Sequence, residues 1–250
     1  MKFVEESFIP NERLSLAIVD KRITIDMESK LKDYGINIIK SPSCSDTYNA
    51  IKYHPDISVC KLNFNNIVVA PNVYDYYNKI LSKYNFNVIK GNSTISKKYP
   101  NNIQYNVAIL GNYAIHNFKY TDDIILEYLD KFNIKKINVK QGYCKCSICI
   151  VDENSIITSD KGIHKEVIKY GINSLLIEKG YIDLFDLDYG FIGGCSGLIS
   201  KNTLSFFGDI KKHPDYSRIL EFINNKNKKI ISLSNEKLLD LGSLIPLCTI

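Results

Sequence analysis

Seven cysteines stand at positions 44, 60, 144, 146, 149, 195 and 248. A deprotonated thiol is a strong nucleophile and a soft metal ligand, so where these residues fall matters more than their number. Cys60 and Cys149 lie inside apolar runs and read as small buried hydrophobes. Cys44, Cys144, Cys195 and Cys248 lie in or beside the loop stretches Ser41–Asp46, Gln141–Ser147, Tyr189–Ser196 and Asp240–Cys248, with Cys146 next to Cys144. Cys146-Ser147-Ile148-Cys149 has the form of a redox pair. Such a pair needs its first thiol at a helix N-terminus, however, and this one leads into an apolar run that reads as a strand. On a strand Cys144 and Cys146 would share a face and could be two metal ligands. A tetrahedral zinc site wants four, and no second pair has suitable spacing, so no metal and no cofactor are expected.

Histidine is the ordinary proton carrier near neutral pH, and the chain has four. His54 opens the tripeptide His54-Pro55-Asp56 just ahead of an apolar run. The same tripeptide at His213-Pro214-Asp215 reads as a helix start. His116 falls in a strand and reads as a packed core residue, and His164 falls early in a helix. Asp46, Asp56, Asp188 and Asp240 are loop-end carboxylates. They could receive a cationic guanidinium or ammonium group, or simply cap backbone donors. Lys145 and Ser243 stand in the same stretches and join them as ligand-binding candidates. Gly190, Gly193, Gly194 and Gly197 precede a strand rather than a helix, which fits close backbone approach and not a dinucleotide loop.

The elements that must position these groups repeat along the chain. An aromatic residue, a Gly or Asn, an apolar residue and then a strand recur at Tyr34-Gly35-Ile36, Tyr84-Asn85-Phe86, Phe132-Asn133-Ile134 and Tyr170-Gly171-Ile172, with a weaker copy at Lys226-Asn227. Gly and Asn tolerate the left-handed conformation that ends a helix. Ahead of each cap runs an amphipathic stretch, most fully Val73, Tyr76, Tyr77, Ile80, Leu81 and Tyr84. Asn72 and Thr121 read as caps that open two of these helices, while Asp160 precedes Ile163, Val167 and Ile168, and Asp26 precedes Met27, Leu31 and Tyr34. Ahead of each helix come two short apolar runs, such as Val107–Leu110 and Tyr113–His116 around a Gly111-Asn112 turn, Ile57–Cys60 and Ile67–Ala70, and Leu16–Val19 and Ile23–Ile25. Five strand-strand-helix-strand units result, at about 14–46, 54–96, 103–141, 144–180 and 193–234, with a closing segment 238–250. One such unit cannot bury its own apolar face, and five around an axis can. The expectation is a single α/β domain over 1–250, a pseudo-fivefold propeller whose loop stretches converge on the axis.

Composition sets the outer bounds. Hydrophobic residues make up 45% and charged residues 24%, which excludes disordered, collagen-like and coiled-coil chains. The net charge of +5 is mild and the Lys pairs are scattered, so nucleic-acid binding is not expected. Met1–Arg13 is too polar for a secretory leader and no apolar run reaches a membrane span, so no membrane partner and a reducing cytoplasmic setting are expected. Oligomeric state is not written in these features.

This architecture resembles the pentein fold of the guanidino-group modifying enzymes: dimethylarginine hydrolases, arginine and agmatine deiminases and amidinotransferases. Gly142–Ser147, Gly190–Gly197 and Gly242–Cys248 are similar to a bacterial branch of that superfamily. The resemblance implies a site on the axis, where a cysteine near the C-terminus attacks a guanidinium carbon, a histidine opening the fourth unit moves protons, and acids hold the cation. Here the nucleophile position falls on Pro246 and the histidine position near Cys144, so both are substituted. The resemblance therefore implies a small guanidino or amino-acid-like ligand in the axial pocket. Cys144, Cys195 or Cys248 would be a relocated nucleophile and His54 the base, in a hydrolase or amidinotransferase type of reaction. The alternative is a catalytically inactive binding or interaction module, ribosome- or protein-associated.

Overall fold

The computed structural model describes residues 2–250. The first unit consists of β1 (Lys2–Phe3), β2 (Leu14–Val19), α1 (Ile25–Asp33) and β3 (Asn37–Lys40). The second has a single helical turn, α2 (Pro55–Ser58), then β4 (Val59–Lys61), β5 (Asn66–Val69), α3 (Tyr74–Leu81) and β6 (Asn87–Lys90). The third has β7 (Ala108–Leu110), β8 (Tyr113–His116), α4 (Asp123–Lys131) and β9 (Lys135–Asn138). The fourth opens with another single turn, α5 (Cys144–Ser147), followed by β10 (Ile148–Asp152), β11 (Ser155–Thr158), α6 (Lys161–Val167) and β12 (Asn173–Leu176). The fifth has β13 (Ser196–Ser200), β14 (Thr203–Phe206), α7 (Tyr216–Asn224) and β15 (Lys229–Ser232), and β16 (Ile245–Thr249) closes the chain.

Each unit folds into one small sheet, giving a pseudo-fivefold α/β propeller of five sheets. In units two to five the first two strands pair antiparallel and the third joins parallel after the helix. The helix-ending conformation expected at five positions is present at all five: Gly35, Asn85, Asn133, Gly171 and Asn227 have φ between 53° and 78°. The helices bury one stripe each, Tyr77 and Leu81 in α3 and Ile125 and Leu129 in α4, as part of the apolar core.

The first sheet departs from the expected pattern. Ile23–Ile25 is not a strand, because Thr24 caps α1 by accepting from the Met27 amide, and Ile25, 85% exposed, has nothing to pack on. The missing strand comes from β16, which lies between β1 and β2 in the order β1-β16-β2-β3. Ile245 stands opposite Ile18, and Cys248 lies between Leu16 and Phe3.

Further expectations are corrected. Ile57-Ser58 and Cys144–Ser147 belong to the turns α2 and α5, not to strands. Pro55 supplies the fixed φ suited to a first helical position. Cys144 and Cys146 therefore do not share a strand face. Also, α4 is capped by Asp122 rather than Thr121, whose hydroxyl instead pairs with His116 Nδ1 at 2.6 Å. Thr24 caps α1 with Asp26 in its first turn, and Asn72 lies in a short 3₁₀ turn ahead of α3 rather than capping it.

Candidate functional site

Five chain segments meet on the axis and are stitched into a closed ring. Asn106 Nδ2 donates to the Asp56 carbonyl (3.0 Å) and the Lys145 amide to the Asn106 carbonyl (3.1 Å). The Gly194 amide donates to the Cys146 carbonyl and the Ser243 amide to the Gly194 carbonyl, each at 2.8 Å. The Asp56 amide donates to the Gly242 carbonyl at 3.3 Å and completes the circuit. Each of these residues stands two or three positions ahead of the first strand of its sheet: Asp56 before β4, Asn106 before β7, Cys146 before β10, Gly194 before β13 and Ser243 before β16. Glycine is required where the ring is tightest. A Cβ at Gly194 would overlap the Asp240 carboxylate, and one at Gly242 (φ +65°) would overlap His54.

A polar chain fills the middle of the ring. Ser243 Oγ donates to Asp56 Oδ2 (2.7 Å) and accepts from Lys145 Nζ (2.9 Å). The Cys146 thiol lies 3.2 Å from both Asp56 oxygens, and Asn106 Nδ2 donates to its sulfur at 3.2 Å. Asp240 accepts from the Phe191 and Gly242 amides. His54 lies between two carboxylates, 3.8 Å from Asp20 and 3.8 Å from Asp240, and neither ring nitrogen has a hydrogen-bond partner. Asp20 is held by Arg22 through two bonds of 2.6 and 3.0 Å. Arg22 also donates to the Asn49 and Ala50 carbonyls and lies 4.1 Å over the Phe185 ring, tying two loops together.

A pocket of about 260 Å³ opens onto this ring. Its closed end is His54, Cys146 and Asp240. Its walls are Tyr48 and Ile51 from one loop, Leu184, Leu187, Tyr189 and Phe191 from another, and Tyr143, with exposed Asp188 among them. Tyr48 and Tyr143 join their hydroxyls at 3.1 Å, and Tyr143 donates on to Asn102. Among the described residues, no Lys or Arg borders the pocket.

Burial governs the protonation of the cluster. It raises the Asp56 carboxyl against the opposing charge of Lys145, and raises Asp20 against that of Arg22. Asp240 is pushed up to about 7, by burial and then by the neighbouring Asp56. His54 is driven down to about 3 by burial and the Arg22 charge, so its ring is neutral at physiological pH. Burial, with Asp56 and Asp240 alongside, raises the Cys146 thiol well above its ordinary value, and burial lowers Lys145.

The sequence candidates divide clearly in space. His54, Asp56, Asp240, Lys145 and Ser243 converge on the axis, and Asp188 lies at the pocket. Asp46 is exposed and bonded to Asn72, away from the pocket. Cys144 points at the Gln141 carbonyl, Cys195 at the Ile192 carbonyl, and Cys248 sits within the first sheet. None of these three borders the pocket. Cys146, weighed on sequence as half of a redox pair and as a metal ligand beside Cys144 but not as the nucleophile, supplies the thiol at the closed end. Asn106 and the aromatic walls were not singled out. The signal for Asn106 was its position directly ahead of the third unit's first strand.

This closed ring of five units around a polar axis defines a pentein-fold protein. The solved structures agree. The chain is similar to an inosamine-phosphate amidinotransferase from Streptomyces griseus (TM-score 0.60, 7% identity, 99% of this chain and 97% of that one). It is similar to an agmatine deiminase from C. jejuni (0.57, 11%, 93% and 91%) and to an amidinotransferase of saxitoxin biosynthesis from Microseira wollei (0.56, 10%, 92% and 92%). No curated protein sequence matches the chain. Residues 18–245 match the model described as "Family of unknown function (DUF6873)", and the chain belongs to that family. Among the described residues, no helix is long and apolar enough to cross a membrane.

Proposed function

We propose that this protein binds a small cationic ligand, of the guanidino or amino-acid-like class, in its axial pocket and acts on it through the Cys146 thiol. The observation that carries the reading is the convergence of His54, Asp56 and Cys146, whose polar atoms lie within 4.8 Å of one another at the closed end of an aromatic pocket. The cation sits against Asp240 beneath Tyr48, Tyr143, Tyr189 and Phe191, where ring faces favour positive charge. Asp188 offers a second carboxylate further out. The amidino and agmatine chemistry in the names of the structural neighbours fits the same class.

The thiol is protonated in the free protein, and an adjacent cation lowers its pKa, so the ligand itself activates the nucleophile. Sulfur attacks the guanidinium carbon while its proton passes to Asp56. The C–N bond to the leaving amine then breaks as Asp56 returns that proton to the amine nitrogen. An amidino group remains on sulfur for transfer to water or to an amine. Ser243 and Lys145 hold the Asp56 carboxylate in place, and neutral His54 is a proton acceptor for the incoming nucleophile.

Alkylation by cationic 2-chloroacetamidine, compared with neutral iodoacetamide and mapped by mass spectrometry, tests this. Preferential modification of Cys146, slowed by agmatine or arginine, is expected. Modification spread over other cysteines, or no preference for the cation, would overturn it. A second reading, binding without chemistry, is favoured by the raised thiol pKa. It predicts calorimetric binding of such guanidines with no reaction at Cys146.

A further inference from the structure

The His54 imidazole poses a separate question. It is fully buried, its Cβ is packed against Gly242, and both ring nitrogens lack partners. Buried polar atoms without a partner are rare and costly, and each calls for an explanation. The nearest carboxylate oxygens, at 3.8 Å, are too far for hydrogen bonds. Besides those two carboxylates, the Asp56 carboxylate and the Cys146 thiol lie with a ring nitrogen of His54 in one cluster.

We propose that His54, Asp56 and Cys146 form a binding site for a divalent transition-metal ion, with zinc the best match to the donor set. Nitrogen, oxygen and sulfur donors together suit zinc, and hard cations such as magnesium would not choose a thiolate. Zinc bonds of about 2.0–2.3 Å require donors about 3.3–3.8 Å apart. The three atoms lie within 4.8 Å of one another, and sulfur and carboxylate are already 3.2 Å apart, so small side-chain shifts close the site. The Asp56 carboxylate and the Cys146 thiolate, with the Asp240 carboxylate alongside, offset the dication together with the Lys145 charge, the thiol proton leaving to solvent. The outer partners that metal ligands ordinarily have are in place. Ser243 donates to Asp56 and Asn106 donates to Cys146 sulfur. Three protein ligands leave a fourth position open, and because His54 and Cys146 both border the pocket, that position faces it.

This goes beyond the thiol reading, since the same sulfur serves as ligand when metal is bound and as nucleophile when it is not. The metal experiment reads metal and not turnover, so the two can fail separately. Full-length protein stripped with EDTA is titrated with zinc by calorimetry and with cobalt by absorption spectroscopy. One equivalent of zinc and a thiolate-to-cobalt charge-transfer band are expected. Cys146→Ser abolishes the band, and Cys146→Ser and His54→Gln each weaken zinc by more than the ~10–100-fold typical of losing an outer partner. On the unmodified protein, zinc shields Cys146 from 2-chloroacetamidine. Wild-type protein that binds no stoichiometric zinc, a cobalt complex lacking the thiolate band, or unchanged affinity in both variants overturns the proposal. Should the variants misfold, the wild-type band and the shielding decide it. Alkylation of Cys146 without any zinc binding leaves the thiol reading standing and removes the metal.

Discussion

The Asp56–Lys145 pair at the ring's centre yields the sharpest prediction. Asp56 is 1% exposed and Lys145 3%, and they are linked through Ser243. Asp240, the other carboxylate near Lys145, is pushed up to about 7 by burial and in part by the charge of Asp56 itself. Asp56→Asn keeps the shape and leaves the buried ammonium to Asp240, which ionises more readily once the Asp56 charge is gone. Removing one member of a buried pair costs about 3–5 kcal/mol, an upper bound here because Asp240 takes over part of the pairing, against the ~5–15 kcal/mol available to a folded domain. The double variant Asp56→Asn/Lys145→Met removes both charges, and should lose no more than about 1–2 kcal/mol. The coupling energy in the cycle is then about 2 kcal/mol or more. The sign of the pH dependence is fixed as well. Burial already lowers Lys145, and without Asp56 it falls further, so the folded single variant binds fewer protons than the unfolded chain. Its deficit must shrink as pH rises. Urea unfolding followed by circular dichroism at pH 6 and pH 9 measures all of this. A single-variant loss below about 1 kcal/mol, or strictly additive effects, would refute the claim that these charges depend on each other.

Three further outcomes are expected. Asp240 holds in the folded state, up to about 7, a proton that the unfolded chain releases near 3.8, so its contribution is full below pH 4 and lost by pH 7, about 4 kcal/mol in all. His54, folded near 3 and unfolded near 6.5, contributes above pH 6.5 and loses that contribution as pH falls. The two oppose each other between pH 4 and 6.5. Asp240→Asn should therefore give a melting temperature that climbs more steeply with pH over that range than the wild type's, and parallel profiles would contradict the assignment. Lys61, fully buried with only the Val4 and Leu62 carbonyls to donate to, is lowered to about 7. Its stability cost builds as pH falls from 10.5 to 7, so Lys61→Met should stabilise the protein by a few kcal/mol at pH 6 and less at pH 9 by denaturant titration. Gly194→Ala should displace Asp240 and cost about 1–3 kcal/mol in the same assay, together with loss of guanidine binding by calorimetry.

The fold was legible because its signals are local. Five left-handed caps sit on Gly or Asn, and each follows an apolar stripe of helical period, so the units and their boundaries can be counted from the chain. The first unit misled at Ile23–Ile25, where three β-branched residues imitate a strand that Thr24 converts into a helix start. Nothing local says that β16 fills the vacancy, because that pairing spans nearly the whole sequence. The site was half legible for a related reason. His54 and Asp56 stand out by type, and Asp240, Lys145 and Ser243 by lying in the loop stretches. Choosing among seven cysteines required knowing which side chain turns toward the axis, and the one-turn helix α5 sets that direction. Reading those residues as a strand rotated Cys146 out of view.

The placement of β16 has a consequence for how the molecule comes into being. β2 must wait for a partner made some two hundred residues later, and until then its edge is open to wrong pairings. Ser243 and Gly242, which close the axial ring, arrive just ahead of that same strand. A growing chain can therefore assemble four sheets and still have no pocket, with Asp56 and His54 exposed to water rather than to each other. Closure of the circle and completion of the pocket therefore depend on the same late segment of the chain.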